Sequence, residues 1–320
     1  MGNARTFRSP VLSRRAALTA AGLLLLAGCT PRFDGARVTI TTGSAGAVYN
    51  QLGAALSAAW AAGLGVSSAV ETSAGSGQNL DRLLAGQADV GISAADAAAL
   101  RATAPDGGRL RALARLHDDY IQVVVHARTS VKSLADLRGK RVSVGLADSG
   151  VLLITDRLLA AAGLSGERDL DRRRLSVDDA VKALATEQID AFFWSGGLPT
   201  EQVAELAQQV PIRLIDLADT LPALAKNFDV YETASMPASV YGLSAPVTTL
   251  LVPNFLLVTD RMPDRLAQSL TQGVFDAQTA LAAASPAARS VDVRSGIETV
   301  PIPLHPGARA YYRAAHYVSD

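Results

Sequence analysis

What most constrains this chain is a unit that recurs along it: a short β-branched run, a turn of small residues, then an Ala/Leu-rich stretch of helical length. Residues 38–42 read as a strand, 43–46 as a tight loop and 48–62 as a helix. The same order returns in 66–72, 73–77 and 78–85, and again in 90–93 followed by 95–103. After a strand-like run at 120–126 the pattern restarts. A short helix at 133–137 leads to a strand at 141–145, a loop at 147–150 and a helix at 151–162 that Gly163 ends as a C-cap. A helix at 177–185, a strand at 189–194, a turn at 196–200 and a helix at 201–209 follow. Residues 247–260 read as the chain's return, and 261–284 as an amphipathic helix pair broken near Ser285 and Pro286. Strands alternating with helices predict an α/β fold of βαβ units, with mostly parallel sheets, flanking helices and right-handed crossovers. The restart predicts a second lobe.

The N-terminus belongs to export rather than to the fold. Arg5, Arg8, Arg14 and Arg15 precede an uncharged apolar run at 16–27 that ends in Leu26-Ala27-Gly28-Cys29, the pattern of a signal peptide. The run is shorter than the roughly 20 apolar residues needed to cross a bilayer's hydrocarbon core. Small residues just before Cys29 resemble the bacterial lipobox, in which that cysteine is diacylated and becomes the first mature residue. Two acyl chains hold where one does not. Ser13-Arg14-Arg15-Ala16-Ala17-Leu18 also resembles a twin-arginine motif, with Ala17 in the usual aromatic position, so general and twin-arginine export both stay open. The expected location is the outer face of the cytoplasmic membrane, anchored through Cys29.

Composition removes several function classes. Cys29 is the only cysteine, which excludes an intrachain disulfide framework and a multi-thiolate metal site. His117, His126, His305 and His316 form no HxH or HxxxH pair, so neither a metal nor another cofactor is expected. Without its four leader arginines the chain keeps 26 of its 30 basic residues against 30 acidic ones, which gives no basic field for nucleic acid. With 49% hydrophobic residues, the 292 positions after the leader fill one large core or two smaller ones.

Function belongs where strands end and helices begin, because the first free N–H groups of a helix favour an anion there. The loops at 43–46, 73–77, 147–150 and 195–200 share a small, Gly/Ser-rich composition; alone, each is ordinary turn chemistry. Presented to one cleft, they surround a carboxylate with backbone donors. An enzyme is the rival class. Gly91-Ile92-Ser93-Ala94-Ala95 departs by one residue from a GxSxG nucleophile elbow, and His117 and His305 have no spacing that marks them as the base for Ser93. The chain is therefore expected not to be an enzyme and to be monomeric.

Thr42-Gly43-Ser44-Ala45-Gly46-Ala47-Val48-Tyr49 resembles the opening motif of the TAXI family, the TRAP-associated extracytoplasmic immunogenic solute-binding proteins. Residues 75–91, 131–145, 189–193 and Pro301-Ile302-Pro303-Leu304-His305-Pro306-Gly307 are similar to later family segments in the same order. The resemblance implies a two-lobed periplasmic-binding-protein-like type II fold with a hinge between the lobes. It also implies a cleft ligand such as glutamate, glutamine or 2-oxoglutarate, handed to a sodium-coupled TRAP permease. The binding lipoprotein of an ABC importer, which shares fold and anchor, is the alternative. The expected division is leader 1–28, linker 29–37, first lobe 38–125, second lobe 126–245, and return with C-terminal helices 246–320.

The resemblance carries ligand contact to Ser44, Val48, Tyr49, Ser76, Asp96, Ser149, Gly150, Gly197 and Pro199. Tyr49 stacks on a flat ligand or caps it by its hydroxyl. Asp96 pairs with a ligand ammonium or caps its own helix. Trp194 walls the pocket or fills the core, and Pro199 starts a helix. Asp148 stands where the family has glycine, and Ala94, Ala95, Val151 and Ile154 replace polar residues. If Asp148 faces the bound acid, it favours a zwitterion over a dicarboxylate.

Overall fold

The computed structural model describes residues 31–317, so the leader and the proposed anchor Cys29 lie outside the described residues. Three successive βα units build the first part. Strand β1 (Arg37–Thr41) leads to α1 (Val48–Leu64), β2 (Ser67–Glu71) to α2 (Ser76–Ala85), and β3 (Val90–Ala94) to α3 (Ala95–Ala102). Each crossover returns the chain parallel, so β2, β1 and β3 lie side by side and parallel. Helix α1 buries Leu52, Leu56, Trp60 and Leu64, spaced by four, against this wing. The C-terminal helices α7 (Asp264–Asp276) and α8 (Pro306–Ala314), numbered after those described below, close the same core, where Trp60 and Tyr312 are fully buried.

A second wing repeats the scheme. Strand β4 (Leu110–His126) enters it, followed by β5 (Arg141–Ser143), α4 (Gly150–Ala161), β6 (Asp171–Arg173), α5 (Val177–Ala185), β7 (Ala191–Gly196) and α6 (Glu201–Gln209). Strands β5, β6 and β7 are mutually parallel, again as the crossovers require. Two short strands, β8 (Ile212–Leu214) and β9 (Glu232–Met236), precede β10 (Val247–Thr259). The parallel wings are joined by antiparallel pairs: β10 pairs with β3, β4 and β9, while β4 pairs with β7 and β8. The result is a two-lobed α/β fold on one curled mixed sheet, consistent with type II periplasmic-binding-protein architecture.

Strands β4 and β10 hold the lobes together. On β4, Leu113 and Leu116 pack in the first core, while Ile121, Val123 and Val125 pack in the second. On β10, Leu250 and Val252 belong to the second core, and Leu256 and Val258 to the first. Each strand therefore changes core midway, and the β4/β10 register shifts at Asn254/Phe255 and Leu256/Leu257. The sequence shows only 120–126 of β4 as a strand. Its first half lacks β-branched residues and carries Arg111, Arg115 and Asp118, and pairing with β10 supplies what local propensity does not.

Candidate functional site

The starts of α1, α2, α4 and α5, together with the end of β7, converge on one cavity with about 880 Å³ of free space, part of it open to solvent. A buried asparagine holds the first-lobe loops in place. Asn79, on α2, accepts from the Thr41 and Ser73 hydroxyls at 2.7 Å each and donates to the Ile92 carbonyl at 2.8 Å and to the Thr42 carbonyl. It thereby ties β1, the 73–77 loop and β3 together. In the second lobe Ser149 caps α4, accepting from the Leu152 N–H at 3.1 Å and donating to the Leu146 carbonyl at 2.7 Å. Ser176 caps α5 in the same way, accepting from the Asp179 N–H at 3.2 Å. Helices α1 and α2 begin at Ala47 and Gly75 with no side-chain cap and no acidic residue in the first turn. Their leading N–H groups and dipoles favour an anion.

The lobes touch where these loops meet. The Gly77 N–H on α2 donates to the Asp148 carbonyl of the facing loop at 3.1 Å. Glycine permits this close approach, because a Cβ would lie 2.6 Å from that oxygen and force the facing loop to shift.

Seven of the residues expected to contact ligand line the cavity: Ser44, Val48, Tyr49, Ser76, Ser149, Gly150 and Trp194. The Tyr49 hydroxyl is turned inward, donating to the Asn254 side chain and lying 3.3 Å from the Ser76 Oγ. Burial holds its pKa well above the usual phenol value. Hydroxyl capping of a ligand is thus replaced by an internal bond, and the ring is what Tyr49 offers the cavity. The Ser76 hydroxyl also serves the protein, accepting from the Ala94 N–H at 3.0 Å. Trp194 donates to the Thr200 Oγ1 at 3.2 Å, which fixes its ring against the cavity.

Four expected residues do not line the cavity. Asp96 is buried between the lobes, where it accepts from the Ala97 N–H at 2.7 Å and the Tyr231 hydroxyl at 2.8 Å. Arg157 on α4 lies 3.6 Å from its carboxylate, donates to Tyr231 at 2.6 Å and stacks over Phe228 at 4.1 Å. Burial pushes the Asp96 pKa up, against the pull of Tyr231 and Arg157. Asp96 therefore joins the lobes and accepts from the next residue within the first turn of its helix, away from the cavity lining. Asp148 has a left-handed φ of 58°, which turns its side chain to solvent and leaves its carbonyl facing Gly77. Gly197 and Pro199 belong to a structural turn. The Thr200 hydroxyl donates to the Gly197 carbonyl at 2.9 Å, and the Thr200 N–H donates to the Tyr241 hydroxyl at 2.8 Å.

Asp119 is one of several cavity residues that were not expected. Asp119, 6% exposed, sits where β4 crosses between the lobes. It accepts from the Ser195 hydroxyl at 3.1 Å, and the His117 Nε2 lies 3.3 Å from its other oxygen. Here the carboxylate lies between serine and histidine, whereas a catalytic triad needs the histidine between the other two. Ser93 is fully buried and donates to the neighbouring Ala94 carbonyl at 3.1 Å, so it is no exposed nucleophile. His305 caps α8, accepting from the Gly307 N–H at 3.1 Å.

Two α/β lobes, a pair of shared long strands and a cleft at helix N-termini define a periplasmic-binding-protein-like fold of the kind used by transporter solute receptors. The chain belongs to the NMT1-like family, whose model matches residues 40–315. It is similar to a structure described as a periplasmic transporter, at 15% identity over 89% of this chain and 95% of that one, with a TM-score of 0.54. It is also similar to the binding protein component of an ABC phosphonate transporter from Pseudomonas aeruginosa. That match has 11% identity over 78% and 79% of the two chains and a TM-score of 0.52. A protein of Bordetella bronchiseptica RB50 matches at 21% identity over 89% and 90%, with a TM-score of 0.51. These likenesses concern the fold.

Proposed function

We propose that this chain is the extracytoplasmic receptor of a membrane importer. It binds a small carboxylate-bearing solute between its lobes, performs no chemistry on it and delivers it to a permease. The observation that carries this reading is the cavity at four helix N-termini, two of them without a side-chain cap, where the lobes touch through the Gly77–Asp148 bond. Cys29 anchors the protein to the outer face of the cytoplasmic membrane, with lobes at 38–125 and 126–245 and a return at 246–320.

Two permeases fit. The fold likeness to an ABC phosphonate transporter's binding component supports an ATP-driven importer, which we place first. The motifs at 42–49 and 301–307 support the TAXI reading and a TRAP permease. Co-purification with an ATPase subunit, or with a permease that has none, separates the two.

Native mass spectrometry of protein purified without denaturation tests the receptor itself. A retained small molecule that raises stability by about 2.7 kcal/mol at a hundredfold excess over Kd is expected. Ester or amide turnover that disappears in Ser93→Ala would overturn the reading. Cys29→Ser is expected to release the protein or leave the leader attached; a variant still membrane-bound at the processed mass refutes the anchor.

A further inference from the structure

We infer that Asp119 determines specificity in the cleft by receiving the cationic group of a zwitterionic solute whose remaining surface is apolar. The inference rests on the receptor reading and narrows it. Among the described residues, the cavity wall carries two carboxylates, Asp119 and Asp178, and no lysine or arginine. Asp178 is exposed and keeps its water. Asp119 does not, and a carboxylate removed from water needs a cation or a full set of donors.

The protein supplies little of either. Ser195 gives Asp119 one hydrogen bond. His117 lies close, but neither of its ring nitrogens makes a hydrogen bond. The guanidinium groups that β4 and α4 contribute nearby are engaged elsewhere: Arg115 with Asp118 at 2.8 Å and Glu298 at 3.1 Å, Arg157 with Asp96 and Tyr231. The charge that completes the floor of the cleft therefore arrives with the ligand.

The rest of the cavity fixes the other two parts of that ligand. The starts of α1 and α2, which lack a side-chain cap, suit a carboxylate through the N–H groups other than that of Gly77. Val48, Ala94, Leu146, Val151, Val177 and Trp194 offer no partner for a second charge. A dicarboxylate would set its second acid among these apolar walls, at the starts of α4 and α5 where Ser149 and Ser176 already hold the Leu152 and Asp179 N–H groups, or against Asp119, where like charges disfavour each other. An amino acid with an apolar side chain satisfies all three parts.

Calorimetry with leucine, glutamate, 2-oxoglutarate and 4-methylpentanoate tests this. 4-Methylpentanoate is leucine without its ammonium group. Leucine is expected to bind best, and loss of the ammonium to weaken binding on the order of tenfold to a hundredfold. Asp119→Asn keeps an acceptor for Ser195 and is expected to bring leucine down to the level of 4-methylpentanoate. Ser195→Ala, a milder change, is expected to keep the preference for leucine while weakening its binding. Glutamate or 2-oxoglutarate binding better than leucine, leucine and 4-methylpentanoate binding alike, or Asp119→Asn retaining the preference would each overturn the inference. Failure of all four ligands to bind would overturn it too. In that case a different small molecule retained in native mass spectrometry leaves the receptor reading standing, whereas no retained ligand and no thermal shift across a broad solute panel removes both.

Discussion

Replacing Gly77 by alanine tests whether the cleft works by bringing its lobes together. The Gly77 N–H reaches the Asp148 carbonyl at 3.1 Å, and an added Cβ would lie 2.6 Å from that oxygen and 3.3 Å from its carbon. Carbon–oxygen contacts of this kind settle at about 3.3 Å, so the 147–150 loop must retreat by roughly 0.7 Å. The retreat stretches the Gly77–Asp148 bond past useful length. Losing one such bond costs about 1 kcal/mol, and if only the closed form binds, the apparent affinity falls about fivefold. The lobe that carries Gly77 behaves differently, because the residue lies in the first turn of α2 and alanine favours helix over glycine by up to about 1 kcal/mol. Affinity is therefore expected to fall while the stability of the empty protein changes little, the helix gain offsetting the lost bond. Calorimetry with the solute retained on purification, paired with urea unfolding of the empty protein, reads both. Unchanged affinity would show that the contact has no part in binding, and a parallel loss of stability would show that Gly77 is merely structural.

Three further outcomes follow from the same geometry. Asp96→Ala strands Arg157, which is 13% exposed, without its carboxylate; urea unfolding is expected to show a loss of about 3 to 5 kcal/mol, and a loss below 1 would mean that the bridge between α3 and α4 is slack. Asp148→Gly is expected to leave ligand preference unchanged and to raise the melting temperature slightly, because a left-handed φ of 58° suits glycine, while Asp148→Val is expected to lose about 1 to 2 kcal/mol. Asp190 accepts from the Arg141 guanidinium at 2.7 and 3.1 Å and from its N–H at 2.8 Å, and the Arg141 side chain holds its carboxyl pKa below the usual value. A lowered folded pKa gives stability that is present above the ordinary carboxylate range, near 3.9, and is lost as pH falls through the folded value. Asp190→Asn should therefore melt below wild type at neutral pH and converge with it in acid; melts between about pH 7 and pH 2 that stay parallel refute this.

Most of the fold was legible because its signals are local. The βα units at 37–64, 67–85 and 90–102 follow from β-branched runs, small-residue turns and helical stretches, and their order alone dictates parallel wings. What joins the wings was not legible in the same way. The first half of β4 is a strand because β10 lies beside it, and no property of 110–119 announces that partner. Sites made of backbone were also within reach, since a loop of small residues before a helix presents its N–H groups whatever its side chains do. Ser44, Ser76, Ser149 and Gly150 line the cavity for that reason.

At Asp148 and Asp119, the two acidic residues at the centre of the ligand question, the direction of the side chain follows from the backbone conformation and not from the residue type. At 148 the left-handed φ reverses the usual arrangement, so the carbonyl faces the opposite lobe and the carboxylate faces water. At 119 the strand alternation does carry the information. Asp119 shares parity with Ile121, Val123 and Val125, which are all buried in the second core, while Asp118 has the opposite parity and pairs with Arg115. Extending the strand back from Tyr120 would have set Asp119 inward, and an inward carboxylate beside no inward cation is a statement about the ligand. The carboxylate that selects a zwitterion thus sits on the strand shared by both lobes and not on the loop that meets α2. A strand residue is held by its ladder on both sides, here by Val252 and, through Tyr120, by Gly196, so its charge stays where it is aimed.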